Sequence, residues 1–575
     1  MLNRQQYWPS SLPDLNLMKT NVSGIKTVSK NNYSDRKFLI VDDFESFQKI
    51  LKRLLLGLNV QNVTTANNGI QAVKHCENNK YDVIFCDFDL GKGPNGLQVL
   101  EELRYHNLLK SSAIFIMVTA ESGRDAVVGA MEYKPDGYMN KPVSAGELSS
   151  RLVKSLQQKE ALSSIYFALD DGDYQKAMTK CDEHINATKS RHKNWCLKTK
   201  GELLIKLARL PQAQTLYEEV LADRPIFWAQ LGLAHTLAGL KLDEPALQAY
   251  QKAYADNPAS LEAFEGAANM LVKLGDPQAA QNLLEQSSKV SSRSVTRQKL
   301  LVDICKINGD FEGAAKAGRQ VVKLAEYGQH KSADNDLDLA DNLTEAALSS
   351  SDDEKTQELA REALDTLKKT EKKYQETDVK IQSKLVQSRA HASIDQDKLA
   401  QEALSIAEQK MAESALKPNL RTQLELAKSY FQTGHKDKAN ELLKNLALEH
   451  QDNPIISARL DKLVDEPVTQ AGKLAVVKIN KDGISMFEKG EFKMAIKNFM
   501  QAIQKFPKHL GIRLNIIQSF LYDMKQNGPS TEKITLCEQH MHVIRHINDN
   551  NKQYKRYLSF KTVLNTLNQN LKGNK

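Results

Sequence analysis

At 575 residues the chain is too long for one hydrophobic core, since single cores stop growing near about 250 to 300 residues. Its 41% hydrophobic and 26% charged residues are the composition of a soluble globular protein, and no stretch approaches the roughly 18 apolar residues of a membrane span. A net charge of +8, from 79 basic against 71 acidic side chains, is too modest at this size to imply nucleic acid by itself.

Residues 1–36 are rich in Ser, Asn, Lys and Pro, carry no sustained period, and read as a flexible arm. The opening "MLNRQQYWPSSLPDLNLMKTNVSG" lacks an uninterrupted apolar core, so no secretory leader is expected. Six scattered cysteines (76, 86, 181, 196, 305 and 537) form no C-x-x-C pair. They suit a reducing cytoplasm, where the thiol acts as a small hydrophobe.

From Lys37 to about Leu156, short apolar runs alternate with amphipathic stretches. "KFLIV", "VTTA", "YDVIFCD", "SAIFIMVT" and "DGYMN" read as strands. "FESFQKILKRLLLGL", "GIQAVKHCEN", "GLQVLEELRYH", the weaker "SGRDAVVGAMEY" and "SAGELSSRLVKSLQQ" read as helices. Runs such as "VIFC" and "AIFIMV" do not alternate with polar residues, as expected of strands covered on both faces. Five such units predict a doubly wound α/β domain with a parallel sheet.

After about Glu160 the strands stop and a helical pattern repeats. Its register alanines are Ala177, Ala213, Ala246, Ala280 and Ala314, spaced 36, 33, 34 and 34 residues apart. A small residue there lets two helices approach, and Tyr217, Tyr250 or Leu284 one turn later fills the groove between them. Pro225 and Pro258 close their units, where proline stops a helix. "GISMFEKGEFKMAIKNFMQAIQKFP" repeats the pattern most clearly, and another unit surrounds Ala439. Residues 160–330 therefore read as regular repeats, 331–465 as degenerate ones or plain hairpins, and 474–575 as a last unit with further helices. A helix-turn-helix period near 34 is that of the tetratricopeptide repeat, and the resemblance implies an all-α superhelix that binds a protein or peptide in its groove.

In an open parallel sheet, groups at the carboxyl ends of strands converge where the strand order reverses. Asp42 and Asp43 follow the first strand, Asp87 ends the third, Thr119 the fourth, and Lys141 follows the fifth. Three carboxylates together repel one another and need a cation, and oxygen ligands at a solvated rim suit Mg²⁺. Such a site would let an aspartate attack a phosphohistidine, with Thr119 and Lys141 holding the oxygens of the transferred group.

These positions, with "VTA" around Thr119 and "NKP" around Lys141, resemble a response-regulator receiver domain of the CheY type across residues 37–156. The resemblance brings a strand order of 2-1-3-4-5. It implies that Asp87 is phosphorylated, that Asp43 and Asp87 ligate Mg²⁺ directly, that Asp42 assists through water, and that Asp89 lends its backbone carbonyl. Tyr138 stands where the family keeps a switch aromatic, and Asp89 and Glu121 where it tunes loss of the phosphoryl group. The loop "LGKGPNG" is one residue longer than the family's usual turn.

The resemblance thus implies a two-component response regulator, a phosphoryl acceptor partnered by a sensor histidine kinase or phosphotransfer protein; the helical half shows no P-loop and no G-x-S-x-G motif, so no catalytic residues are expected there. A phosphate sink, or a modulator of a kinase or sister regulator, would use the same chemistry. A DNA-binding output has only the basic tail after Asn551 (Lys552, Lys555, Arg556, Lys561, Lys572, Lys575) in its support, so nucleic acid is disfavoured. Cys537, His540, His542 and His546 have a spacing that could hold a metal, but no acidic or further ligand completes the set, and a polar surface is the preferred reading.

Overall fold

The computed structural model describes residues 33–120, 129, 132–187, 190–414, 417–545, 547, 549 and 551–573. The arm as far as residue 32, Glu121, His546 and most of the fourth predicted helix lie outside the described residues. The chain forms two compact units: residues up to Ala120 with Pro135–Asp170, and Glu121–Lys134 with Asp171–Lys575.

The first unit is built on strands β1 (Lys37–Val41), β2 (Asn62–Ala66), β3 (Val83–Asp87), β4 (Ile114–Thr119) and β5 (Gly137–Asn140). All pair in parallel, in the order β2-β1-β3-β4-β5, as the resemblance implies. Between them run α1 (Glu45–Gly57), α2 (Gly69–Asn78) and α3 (Gly96–Tyr105), and after β5 come α4 (Ala145–Ala161) and α5 (Ser163–Asp170). β3 and β4 are buried at every position, which explains their unbroken apolar sequence. Phe38, Ile40, Phe85, Ile116 and Val118 pack with Leu51 and Leu55 of α1 and Leu148 and Leu152 of α4, and Tyr33 joins this core. The alternate residues Leu39, Ile84, Phe115 and Met117 point to the other face and are equally buried. "SSRLVKSLQQKEALSSIYFALDD" has no glycine or proline, yet the helix ends at Ala161, Leu162 caps it, and a second starts at Ser163.

The second unit is helical. Its elements are α6 (Tyr174–Asn186), α7 (Lys193–Lys206), α8 (Leu210–Asp223), α9 (Phe227–Gly239), α10 (Asp243–Asp256), α11 (Leu261–Lys273), α12 (Pro277–Val290), α13 (Val295–Asn308) and α14 (Phe311–Leu324). There follow α15 (Ala333–Ser349), α16 (Asp353–Lys373), α17 (Thr377–Ala392), α18 (Asp397–Glu413), α19 (Leu420–Gln432), α20 (Lys436–Glu449) and α21 (Pro454–Asp461). The last are α22 (Gln470–Glu488), α23 (Phe492–Lys505), α24 (Leu510–Asn527), α25 (Thr531–Val543) and α26 (Tyr554–Gly573).

Helices pack in sequential pairs, and the first helices of successive pairs touch: α9 on α11, α11 on α13, α15 on α17, α17 on α19. The five register alanines have no exposed surface. Tyr217 and Tyr250 are buried between helices, as their spacing suggests. Glycines make the room: a Cβ on Gly232 would lie 2.3 Å from the Tyr217 ring, and one on Gly266 2.3 Å from that of Tyr250. Gly483 stands the same way against Phe499. Among the described residues no helix is long and apolar enough to cross a membrane.

Candidate functional site

The order of the sheet reverses at β1 and β3, so the carboxyl ends of these strands open on one crevice. Asp42 leaves β1 with its N–H donating to the Ala66 carbonyl at 3.1 Å, and its Oδ1 accepts from the Phe44 N–H at 3.0 Å. Gln48, buried on α1, donates to the carbonyls of Asp42 (2.6 Å) and Ala66 (3.2 Å) and to the Asn67 side chain (2.9 Å). That amide pins the β1–α1 turn to the end of β2 and fixes where the two aspartates stand. Asp87 closes β3, its Oδ1 accepting from the Phe88 N–H at 2.7 Å.

The loop after Asp87 starts α3 close beneath it. Gly96 donates to the Phe88 carbonyl at 2.9 Å, and a Cβ there would meet the Asp87 carbonyl oxygen at 2.1 Å. Asn95 caps α3 in a capping box with Gln98. The Asp89 side chain is exposed and accepts from the Gly91 N–H at 3.1 Å, so it shapes the turn.

Oxygens of Asp42, Asp43 and Asp87 come within 4.8 Å of one another, and no other trio of potential ligands does so among the described residues. Asp42 and Asp87 are buried and Asp43 is exposed. Lys141 reaches in from the end of β5, its Nζ 2.6 Å from Oδ2 of both Asp42 and Asp87 and 4.3 Å from the centre of the Phe47 ring. Its backbone N–H donates to the Thr119 carbonyl at 2.8 Å, which joins the ends of β4 and β5. Thr119 is buried at its strand end, and Tyr138 lies opposite Met117 on β5.

Burial pushes the Asp87 carboxyl up from its ordinary range, only partly offset by the bond from Lys141. Asp43 is also raised, by desolvation and by the charges of Asp42 and Asp89 against a bond from its own backbone. Lys141 is held above its usual value, because its bonds to Asp42 and Asp87 outweigh its desolvation. Three carboxylates against one ammonium leave two negative charges, which a divalent cation cancels. An all-oxygen donor set with one solvent-facing member fits a hard ion that keeps some of its water.

Two family models match the chain: "Response regulator receiver domain" over residues 38–153, and "Psidin, N-terminal TPR repeats region" over residues 160–291. The chemotaxis protein CheY-3 of Vibrio cholerae is 31% identical over 122 residues, which cover 21% of this chain and 92% of that protein. The chemotaxis protein CheY of Pseudomonas aeruginosa is 32% identical over 122 residues, 21% of this chain and 97% of its own.

The chain belongs to the response-regulator family. Its receiver domain is followed by a tetratricopeptide-type helical region, and receivers typically bind Mg²⁺ at an acidic pocket such as this one.

Sequence reasoning named Asp42, Asp43, Asp87, Thr119 and Lys141 of the receiver, and all five stand at neighbouring strand ends. It missed Gln48 and Phe47, although Gln48 shares the apolar face of α1 with Leu51 and Leu55, and an amide there was the signal. The "CEQHMHVIRH" stretch is corrected. Cys537 and His540 are buried, so the helix does not present these side chains as a polar surface. His540 Nδ1 is 2.8 Å from the Arg513 guanidinium, which donates to it. All six cysteines are buried and unpaired, as small hydrophobes are. In the basic tail, Arg556 donates to Asn515 and Gln518.

Proposed function

We propose that Asp87 accepts a phosphoryl group from a sensor histidine kinase or a phosphotransfer protein, and that the helical half delivers the result as a change in protein–protein contact. The observation that carries this reading is the state of the Asp87 carboxylate. It is pinned by one N–H on Oδ1 and by Lys141 on Oδ2, beside two further acids. An Asp87 oxygen attacks the phosphorus of a phosphohistidine, the P–N bond breaks, and its electron pair stays on the imidazole, which takes up a proton. The product is an acyl phosphate, later hydrolysed by water to phosphate and the free carboxylate.

Mg²⁺ bound at the carboxylates would screen the repulsion between Asp87 and the incoming phosphate. Asp43 and Asp87 would hold it directly, Asp42 through water, and Asp89 through its backbone carbonyl. Lys141, already at the Asp87 oxygen, neutralises charge on the transferred group, and the Thr119 hydroxyl hydrogen-bonds to it. Tyr138 follows Thr119 as the switch aromatic. The chain accepts the group and sheds it without a catalytic output of its own, in the cytoplasm.

Incubation with Mg²⁺ and acetyl phosphate should label the wild type and leave Asp87→Asn unlabelled on a phosphate-affinity gel. Undiminished labelling of that variant would remove Asp87 from the role.

A further inference from the structure

Gly129 and residues 132–134 fall in the second unit, although they lie between β4 and β5 in the sequence. The first unit ends at Ala120, one residue after Thr119, and resumes at Pro135. Gly129 and Glu132 have helical backbone. Glu132 meets Arg297 of α13 through both oxygens, at 2.5 Å to Nη1 and 3.3 Å to Nη2. Arg297 is fully buried, and its guanidinium also donates to Glu265 of α11 at 3.1 Å and to the Ser291 carbonyl at 2.8 Å.

Two residues on, Lys134 donates to Glu262 of α11 at 3.3 Å. Glu262 in turn faces His235 of α9 at 3.1 Å. Those contacts hold the Glu262 carboxyl at about 2, the bond to His235 first and the charge of Lys134 after it. A Cβ on Gly129 would lie 3.3 Å from the Arg293 side chain, so a glycine suits the close approach there.

Because α9, α11 and α13 are first helices of successive pairs, His235, Glu262, Glu265 and Arg297 form one polar track across three repeats. The track is complementary to its occupant in sign and order: carboxylate to guanidinium, then ammonium to carboxylate. Arg297 Nε has no partner among the described residues. The internal occupant therefore leaves one donor of the fork unused, and an occupant with a further acceptor would satisfy it more fully.

We propose that the groove of α9, α11 and α13 is a binding site for a helix end carrying a carboxylate and, two residues later, an ammonium, and that Glu132 and Lys134 fill it from within the chain. A partner of that chemistry competes with this segment. The site itself rests on the contacts above. Its control by Asp87 rests on the function proposed in the previous section, through the two-residue link from Thr119 to the second unit, so the two are tested apart.

The test is hydrogen exchange read by mass spectrometry on the full chain. Glu132→Ala together with Lys134→Ala leaves Arg297 paired with Glu265 and Ser291, so the helices keep their partners. Amides in 129–134 and in α11 and α13 should then exchange about tenfold faster or more, and those in α18 and α20 should not change. Unaltered exchange in 129–134 would overturn the site.

A synthetic peptide of residues 128–136, added at millimolar concentration to the double variant, should restore protection in α11 and α13. The same peptide with alanine for its glutamate should not. No restoration by the first peptide, or equal restoration by both, would also overturn the site. Beryllofluoride with Mg²⁺ should loosen 129–134 in the wild type and not in Asp87→Asn. If only that last result fails, the internal site stands and its control by Asp87 falls.

Discussion

The acid cluster makes a quantitative prediction through Mg²⁺ linkage. With Asp42, Asp43 and Asp87 within 4.8 Å and Lys141 as their one close ammonium, the folded receiver presents two uncompensated charges that unfolding disperses. An ion that binds only the folded unit stabilises it by about 1.4 kcal/mol at a free concentration tenfold above Kd and about 2.7 kcal/mol at a hundredfold. Exchange protection of the β3 and β4 amides, the most buried of the sheet, should rise about tenfold for each such step in the intact chain. Asp43→Asn removes one oxygen ligand and one charge, and should weaken the Mg²⁺ dependence by at least about tenfold. Because burial and neighbouring acids already raise the Asp43 carboxyl, the neutral amide should leave protection without Mg²⁺ equal or higher. A wild type whose β3 protection ignores Mg²⁺, or a variant that tracks the wild type, would refute the reasoning.

Gly96→Ala places a methyl 2.1 Å from the Asp87 carbonyl and should cost at least about 2 kcal/mol, read as a fall in the urea midpoint of the receiver signal. Gly266→Ala should cost about 1 to 3 kcal/mol by pressing on the Tyr250 ring, and Tyr250→Leu should recover part of it in a double-mutant cycle. Burial, and then the Arg513 charge, hold His540 down at about 3, below its unfolded value near 6.5. Between those values the unfolded chain binds the extra proton, so stability falls as pH drops through about 6.5, by about 2 kcal/mol at pH 5; His540→Gln should flatten that part of the denaturation profile.

Much of the receiver was legible because its chemistry and its pattern agree. Continuous apolar strands fixed the sheet's two buried faces, and the polar residues that interrupt them at the ends were the site. What stayed hidden were partners that depend on the path of a loop. Gln48 shows in the sequence as an amide on the apolar face of α1, but its partners appear only once the β1–α1 turn is seen to lie over it. The regular repeats were legible through Ala213 and Ala246, but that Gly232 and Gly266, themselves 34 residues apart, receive Tyr217 and Tyr250 was not, because each glycine sits on a helix neighbouring that of its tyrosine. Between α15 and α20 the pattern fails for a different reason. Arg389 is buried there with Asp341 at 2.5 Å and Glu425 at 2.8 Å, and Lys428 bonds both acids. Thr344, Ser383, Ser388 and Ser429 have almost no exposed surface beside them in sequence. Charged and hydroxyl side chains occupy interior positions that an apolar template scores as surface, so paired helices read as degenerate repeats.

Lys141 ties two of the receiver's three acids into one arrangement. Lys141 bridges Asp42 and Asp87 at 2.6 Å to each, an arrangement that requires both to be simple carboxylates. On the proposed reading, phosphorylation turns one Asp87 oxygen into the bridging oxygen of an acyl phosphate and places a dianionic group against Asp42 and Asp43, so the ammonium must leave Asp42 to follow the new charge. Its backbone is not free to follow without consequence, because the Lys141 N–H is bonded to the Thr119 carbonyl at 2.8 Å and the Thr119 hydroxyl is drawn to the same phosphoryl oxygens. Both movements converge on the last residue of β4. One residue later the first unit ends, and in the second unit Glu132 meets Arg297 and Lys134 meets Glu262. A displacement at Thr119 or Lys141 too small to disturb the sheet can therefore tell on those ion pairs, since Lys134 is only seven residues before Lys141 in the chain.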